Sequence, residues 1–266
     1  MLTFLIMAGG SGERFWPLST KEKPKQLLKI FSNKSLIRLA YERVLPLVDE
    51  NRIFIATNEI QVAALKEDLK EVPDSRIIIE PAFRDTAAAI AYGSTMISKY
   101  YDNPTVCVLA SDHLIAGDEE FRKVIKIAEA EAEKNNIVTL GIKPEYPETG
   151  YGYIEVADAK LNVPTKSLGF KEKPQYDVAK KYFESGKFLW NSGMFIFKYD
   201  IIMEALEKYS PNHFETIKKI EHLFDFNDGI NTALKVKNEF MNFEKKSIDF
   251  AVMEHATNIV VIPSDF

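Results

Sequence analysis

Only one cysteine, Cys107, occurs in the 266 residues, so no intramolecular disulfide can form and the chain suits a reducing compartment. Cys107 lies in the apolar run 105–110 and reads as a packing residue rather than a nucleophile, since free cysteine is among the most buried residue types. No apolar stretch approaches the ~20 residues needed to cross a bilayer. The run 2–8 is too short for a signal-peptide core and no basic residue precedes it, so a cytoplasmic location and no membrane partner are expected. Charge of either sign is not in large excess: 34 Lys and Arg face 39 Asp and Glu, a net charge of -5. That balance gives no support for nucleic acid as a partner, while leaving room for a local basic pocket. Internal repeats, low-complexity tracts and Gly/Ser-rich linkers are also missing. One compact unit with a sizeable core is the expectation for this length.

The apolar residues present alternate between short runs and helical spacing. Residues 2–7, 52–56, 76–79, 106–109 and 137–140 read as buried strands. Between them, Leu36, Ile37, Ala40, Tyr41 and Val44 predict a helix opened by Ser35 and ending before Pro46. Val62, Leu65 and Leu69 predict a second helix. Ala87, Ile90, Ala91, Ser94 and Ile97 predict a third, and Phe121, Val124, Ile125, Ala128 and Ala132 a fourth. The βαβ alternation predicts an α/β fold with a Rossmann-like, mixed but mainly parallel central sheet flanked by helices. After Gly141 the pattern changes: strands at 151–157 and 163–171, a helix at 177–185, a strand at 193–197, helical sequence to 255 and a last strand at 259–262. A single domain over 1–266 follows, with a nucleotide-binding half at 1–141 and a substrate-binding half at 142–266. The chain ends just past a strand, and a longer parent protein is expected.

Directly after the first strand comes Ala8, Gly9, Gly10, Ser11, Gly12, Glu13, Arg14, Phe15, Trp16, Pro17, Leu18, Ser19. Three glycines in four positions let backbone N–H groups approach phosphate oxygens closely. No Lys-Ser/Thr pair follows, so this is not a Walker A loop, and no helix follows at once, so it is not a dinucleotide fingerprint. Arg14 and Lys25 add cations, and Pro17 and Pro24 stiffen the segment between them. A rigid cationic loop beside exposed amides suits a triphosphate; a structural turn with surface charges is the plainer alternative.

The segment from Gly9 to Ser19, followed by Lys23, Pro24 and Lys25, resembles the signature of sugar-1-phosphate nucleotidylyltransferases. With Trp16 before Pro17 and Gln26 after Lys25 it is similar to the mannose-1-phosphate guanylyltransferases. The resemblance implies transfer of GMP from GTP to α-D-mannose 1-phosphate, giving GDP-mannose and pyrophosphate, with Mg²⁺ as cofactor. It implies that the loop holds the triphosphate, that Arg14 stabilises the departing pyrophosphate and that Lys25 contacts phosphate. A homodimer is compatible with it. The likeness runs over most of the chain and includes 247–254. The family's second metal-binding aspartate falls beyond Phe266, and its C-terminal β-helix region is expected to be missing; Asp265 matches an upstream position instead.

Four further segments carry candidate site residues. Ser111 and Asp112 end the fourth strand, and if strands one and four are neighbours Asp112 faces the glycine loop. A carboxylate opposite a triphosphate acts through Mg²⁺; the alternative is that Asp112 caps the next helix. The resemblance puts a metal-binding aspartate in such an Asp-His pair, with His113 a structural neighbour. Glu80, Pro81, Asp85 and Thr86 link the third strand to the third helix. Glu80 suits the donors of guanine, while Asp85 or Thr86 suits a helix cap as well as a base site. The family carries Asn where this chain has Asp85. Gly150 and Tyr151 resemble a sugar-side loop, Glu172 and Lys173 a Phe-x-Glu-Lys-Pro motif, and Asn191 a second sugar-side segment. The resemblance implies that Glu172 and Asn191 bind sugar hydroxyls and that Lys173 binds the sugar phosphate. Rival expectations are another base or sugar (UTP, dTTP or ATP; glucose 1-phosphate), a non-catalytic sugar-nucleotide-binding homologue, and a nicotinamide-dependent oxidoreductase, the last disfavoured by the missing fingerprint.

Overall fold

Strict alternation along the first two strands sets the architecture. In β1 (Leu2–Met7), Phe4 and Ile6 point to one side of the sheet and Leu5 to the other. The computed structural model describes residues 1–10, 18–20, 24–225 and 230–266. Helix α1 (Leu36–Val44) opens as expected at Ser35, whose side chain accepts from the Arg38 N–H. Next come β2 (Ile53–Asn58), α2 (Val62–Asp68), β3 (Ile77–Glu80), α3 (Asp85–Ser98), β4 (Thr105–Ala110), α4 (Asp118–Ala132) and β5 (Ile137–Ile142). The second part holds β6 (Tyr153–Val156), β7 (Thr165–Lys171), α5 (Tyr176–Ser185), β8 (Phe188–Lys198), α6 (Tyr199–Tyr209), α7 (Pro211–Asp225), α8 (Ile230–Phe240) and β9 (Ile259–Ser264). 3-10 turns at Lys25–Leu27, Glu50–Arg52 and Asp74–Arg76 and a π-helical turn at Asp249–Met253 complete the described elements.

The strands form one nine-stranded sheet in the order β3-β2-β1-β4-β8-β5-β9-β7-β6, and β6 also pairs with β8. β3, β2, β1 and β4 run parallel, as do β5 and β9. The sheet is therefore mixed, as expected, but β4 and β5 are not adjacent: β8 runs antiparallel between them. The sequence reading of a strand at 193–197 catches only the end of β8, which is 11 residues long. Its first part carries Asn191 and Ser192, polar residues that break the apolar run.

Helices cover both faces. Ile37, Val44, Leu65, Phe121, Val124 and Ile125, from α1, α2 and α4, pack on Phe4, Ile6, Ile53 and Ile55. α3, α6, α7, α8 and the π turn pack on Leu5, Phe54, Val106 and Val108. Cys107 is fully buried on the first of these faces, and burial pushes its thiol pKa well up, which fits a packing role. Each buried Phe, Leu or Ile side chain contributes roughly 1.5–3 kcal/mol from loss of water contact, so this three-layer core rigidly fixes the loops at the strand ends. Strand order turns back on itself between β1 and β4, and ligands of open α/β sheets bind outside the carboxyl ends of strands at such a reversal.

Candidate active site

β1 and β4 are in register from Leu2 with Thr105 to Met7 with Ala110, so Ala8–Gly10 and Ser111–Asp112 leave the sheet side by side. The pairing continues one step, with Ser111 N–H donating to Met7 O at 3.1 Å. Lys25, on the 3-10 turn, forms an ion pair with the Asp112 carboxylate. Asp112 is not a helix cap, because Gly117 holds the cap position of α4.

A cavity of about 300 Å³ opens here. It is lined by Gly9, Gly10, Lys25, Gln26, Glu80, Asp85, Thr86, Ser111 and Asp112, so eight of the residues singled out from sequence meet in one place. Ala8 lies behind this wall, 2% exposed, and Pro81 does not line the cavity. Ser11, Gly12, Glu13 and Arg14 lie outside the described residues.

Glu80 ends β3 beside Asn58 and is 8% exposed. Burial alone pushes its carboxyl pKa up from the usual carboxylate range to about 7. It lies so near the turn that a Cβ on Gly9 would come within 2.8 Å of Glu80 Oε1. Asp85 heads α3 with φ 66°, a left-handed conformation that Asp and Asn tolerate better than other side chains, and its Oδ1 accepts from Thr86 N–H at 2.8 Å. Aspartate thus keeps the backbone geometry that asparagine would give. Thr86 Oγ1 accepts from Ile248 N–H at 2.9 Å, tying the start of α3 to the segment that enters the π turn.

A second cavity, of about 370 Å³, lies on the other side of Asp112. Asp112, His113, Tyr151, Trp190, Asn191 and Ser192 are among its lining residues. Tyr146 and Tyr151 pack edge-on against Trp190, with ring centroids 5.1 and 5.2 Å away. Burial lowers the His113 imidazole pKa, a shift the neighbouring Asp112 opposes only in part, so the ring is neutral near pH 7. The Glu172 side chain is 6% exposed and paired with Lys173, whose side chain is 60% exposed; neither lines this cavity, and Gly150 does not either. The glycine that sterics demand in this loop is Gly152 rather than Gly150. A Cβ there would meet Glu172 Oε2 at 2.6 Å and Phe170 Cζ at 3.2 Å. Gly152→Ala is expected to cost about 1–3 kcal/mol by overpacking; an unshifted denaturation midpoint would show that the loop yields without strain.

Two residues on these walls, and a third that lines neither cavity but accepts from Asn191, were not legible as site residues. Phe83 lines the first cavity with its ring 65% exposed. Trp190 closes the second. Asp249, from the π turn, accepts from Asn191 Nδ2 at 3.0 Å, and burial, with the Glu172 charge next, raises its pKa to about 6. Asn191 Oδ1 also accepts from Gly193 N–H at 3.2 Å, so both ends of its amide are held. Isolated π turns concentrate at functional positions, and a π turn gives no distinct sequence period.

For a divalent cation the described donors on the first cavity are the carboxylates of Glu80, Asp85 and Asp112, of which Asp112 also lines the second. Among the described residues no three His, Cys, Asp or Glu side chains cluster as a metal cage. Mg²⁺ fits that arrangement, because it is usually held by one or two carboxylates together with phosphate oxygens and waters.

Comparisons with known proteins give the family. The nucleotidyl transferase family model matches residues 3–227. Mannose-1-phosphate guanylyltransferase RfbM of Salmonella typhimurium is 38% identical over 264 residues, which cover 97% of this chain and 54% of that protein. The chain spans about half the length of the curated relatives it matches. A crystal structure titled as mannose-1-phosphate geranyltransferase from Thermus thermophilus superposes with a TM-score of 0.86 at 32% identity, covering 100% of this chain and 74% of that one. Another, titled as mannose-6-phosphate isomerase from Helicobacter pylori, gives 0.80 at 27% identity, covering 98% and 96%. No helix among the described residues is long and apolar enough to cross a membrane. The family's reactions generally use a divalent metal. With the family model matching most of its length, the chain belongs to the nucleotidyl transferase family.

Proposed function

We propose that this chain transfers GMP from GTP to α-D-mannose 1-phosphate, releasing pyrophosphate, in the cytoplasm. The observation that carries the reading is that Asp112 lines both cavities, one walled by the glycine turn and the other by Trp190 and Asn191. The triphosphate occupies the first cavity and the sugar phosphate the second, which divides the chain into a nucleotide half at 1–141 and a sugar half at 142–266.

A phosphate oxygen of the sugar 1-phosphate attacks the α-phosphorus of GTP. The new P–O bond forms as the bond to the bridging oxygen of pyrophosphate breaks, and pyrophosphate leaves with that electron pair. The nucleophile is already an anion, so no general base is required, and a neutral His113 is consistent with that. Holding two polyanions in line and offsetting their repulsion supplies most of the acceleration. Gly9, Gly10 and Lys25 bind the triphosphate, and Arg14 is assigned to the leaving pyrophosphate. Asp112 would hold Mg²⁺, which when bound neutralises charge on phosphate oxygens. Lys173 is assigned to the sugar phosphate and Glu172 and Asn191 to the sugar hydroxyls, although of the three only Asn191 lines the second cavity. Glu80 accepts from guanine N1–H and N2–H₂, and the exposed Phe83 ring offers a stacking face.

The test is pyrophosphate release measured over GTP, UTP, dTTP and ATP, each with mannose 1-phosphate and glucose 1-phosphate, with and without Mg²⁺. The reading expects turnover only with Mg²⁺ and fastest with GTP and mannose 1-phosphate. Equal rates with ATP, or a preference for glucose 1-phosphate, would overturn the assignment of base or sugar.

A further inference from the structure

The glycine turn poses a physical problem that its glycines do not solve. A flexible turn presents carbonyl oxygens as readily as N–H groups, and a carbonyl facing a triphosphate repels it. Three side-chain amides resolve this. Gln26 Nε2 donates to Ala8 O at 2.7 Å and lies 3.4 Å from Gly10 O. Asn58 Nδ2 donates to Gly9 O at 3.2 Å. Gln61 Nε2 donates to Gly10 O at 2.9 Å. Three consecutive carbonyls are thus each engaged by an amide from a separate segment: the 3-10 turn, the end of β2, and the start of α2.

We propose that Gln26, Asn58 and Gln61 are positioning residues that lock the carbonyls of Ala8, Gly9 and Gly10 away from the cavity, so that the turn offers its N–H groups to phosphate.

The orientation of each amide supports this. Carbonyl oxygens only accept, so the NH₂ end must face the turn. Among the described residues Gln26 Oε1 and Gln61 Oε1 have no hydrogen-bond partner, although both residues are buried. The two glutamines are thus held by their donor ends. The amides are themselves braced. Asn58 Oδ1 accepts from Ile60 N–H at 3.0 Å and Gln61 N–H at 3.1 Å, which fixes Asn58 in an Asx turn and aims its NH₂ at Gly9. Among the described residues the N–H groups of Gly9 and Gly10 have no acceptor, the state expected of groups reserved for a ligand. The proposal rests on the reading of the first cavity as a polyphosphate site.

Two variants separate donation from structure. Gln61→Met keeps the length and neutrality of the side chain and removes only the donor to Gly10 O. Asn58→Asp keeps the acceptor that builds the Asx turn and removes the donor to Gly9 O. Binding of pyrophosphate and of GTP is measured by calorimetry, together with KM for GTP and for mannose 1-phosphate, and thermal unfolding of each variant. Loss of one positioning hydrogen bond is expected to weaken pyrophosphate and GTP binding about tenfold, with KM for mannose 1-phosphate and the unfolding temperature little changed. Asn58→Asp also brings a charge, so it should weaken both ligands at least as much. Variants that bind pyrophosphate as tightly as the unmodified protein, or lose affinity for both substrates alike, overturn the inference and leave the function standing. An unmodified protein that binds neither pyrophosphate nor GTP overturns both.

Discussion

Asp112→Asn is expected to lower kcat by roughly 10²–10³-fold, the range for removing one preorganised electrostatic contact at a reacting centre, while leaving the fold almost unchanged. The two halves of that expectation have different causes. Asp112 is not a cap, since α4 starts at Asp118 behind Gly117. Its visible partner is Lys25, and both side chains are 23% exposed. A pair so open to water contributes about 0–1 kcal/mol, so the unfolding midpoint should barely move. Losing the carboxylate leaves Lys25 positive against the triphosphate, so GTP affinity without metal should hold or rise. Catalysis fails because, among the described acidic residues of the two cavities, this carboxylate alone lines both. A kcat within threefold of the unmodified chain, or a large loss of stability, would remove Asp112 from the reaction.

Glu80→Gln is expected to cost selectivity for guanine and to change how stability depends on pH. A hydrogen bond to a charged group contributes about 1.5–3 kcal/mol, so the preference for GTP over ATP should fall roughly 10–150-fold. The pH effect follows from burial, which raises the carboxyl from its ordinary 4.5 to about 7 in the folded chain. Below pH 4.5 both folded and unfolded states hold the proton. Between 4.5 and 7 the unfolded chain releases it while the folded one keeps it, so ligand-free stability falls as pH rises and levels off above 7. The difference in pKa corresponds to about 3 kcal/mol. Glutamine has nothing to titrate, so the variant's stability curve should be flatter across that interval. Tyr92 on α3, whose hydroxyl is raised to about 12 by burial and then by Glu80, stays neutral throughout. In the unmodified chain GTP binding favours the ionised carboxylate, so affinity should rise between about pH 6 and 8; in Glu80→Gln it should not. Parallel stability curves for the two proteins would show that Glu80 is ionised when folded, against the account.

Local chemistry made the first half of the fold legible. The short apolar run 2–7, and the 3.6 period from Leu36 to Val44, announce strand and helix without any partner. The turn after β1 was legible because glycines and cations stand together in sequence. What stayed hidden depends on pairing across long separations. β8 belongs between β4 and β5, yet its Asn191 and Ser192 look like loop residues until Asn191 is seen bound to Asp249, 58 residues away. Gln61 reads as an ordinary helix-start residue until its amide is found on Gly10 O, 51 residues back. Glu80 reads as a candidate acceptor for guanine, but its burial shows only in the fold, where its carboxylate lies against Gly9. The resemblance points to Gly150 rather than Gly152, because a motif cannot tell which glycine has a side chain pressed against it.

The central claim is that Asp112 stands between the two substrates, and paramagnetic relaxation tests it most directly. Mn²⁺ replaces Mg²⁺ in a complex with a non-reactive α,β-methylene analogue of GTP and mannose 1-phosphate, and the phosphorus resonances are recorded by NMR. The account predicts strong broadening of both the α-phosphorus and the sugar phosphorus, lost from both in Asp112→Asn. Broadening of the sugar phosphorus that is absent in the unmodified chain, or that survives Asp112→Asn, would contradict it.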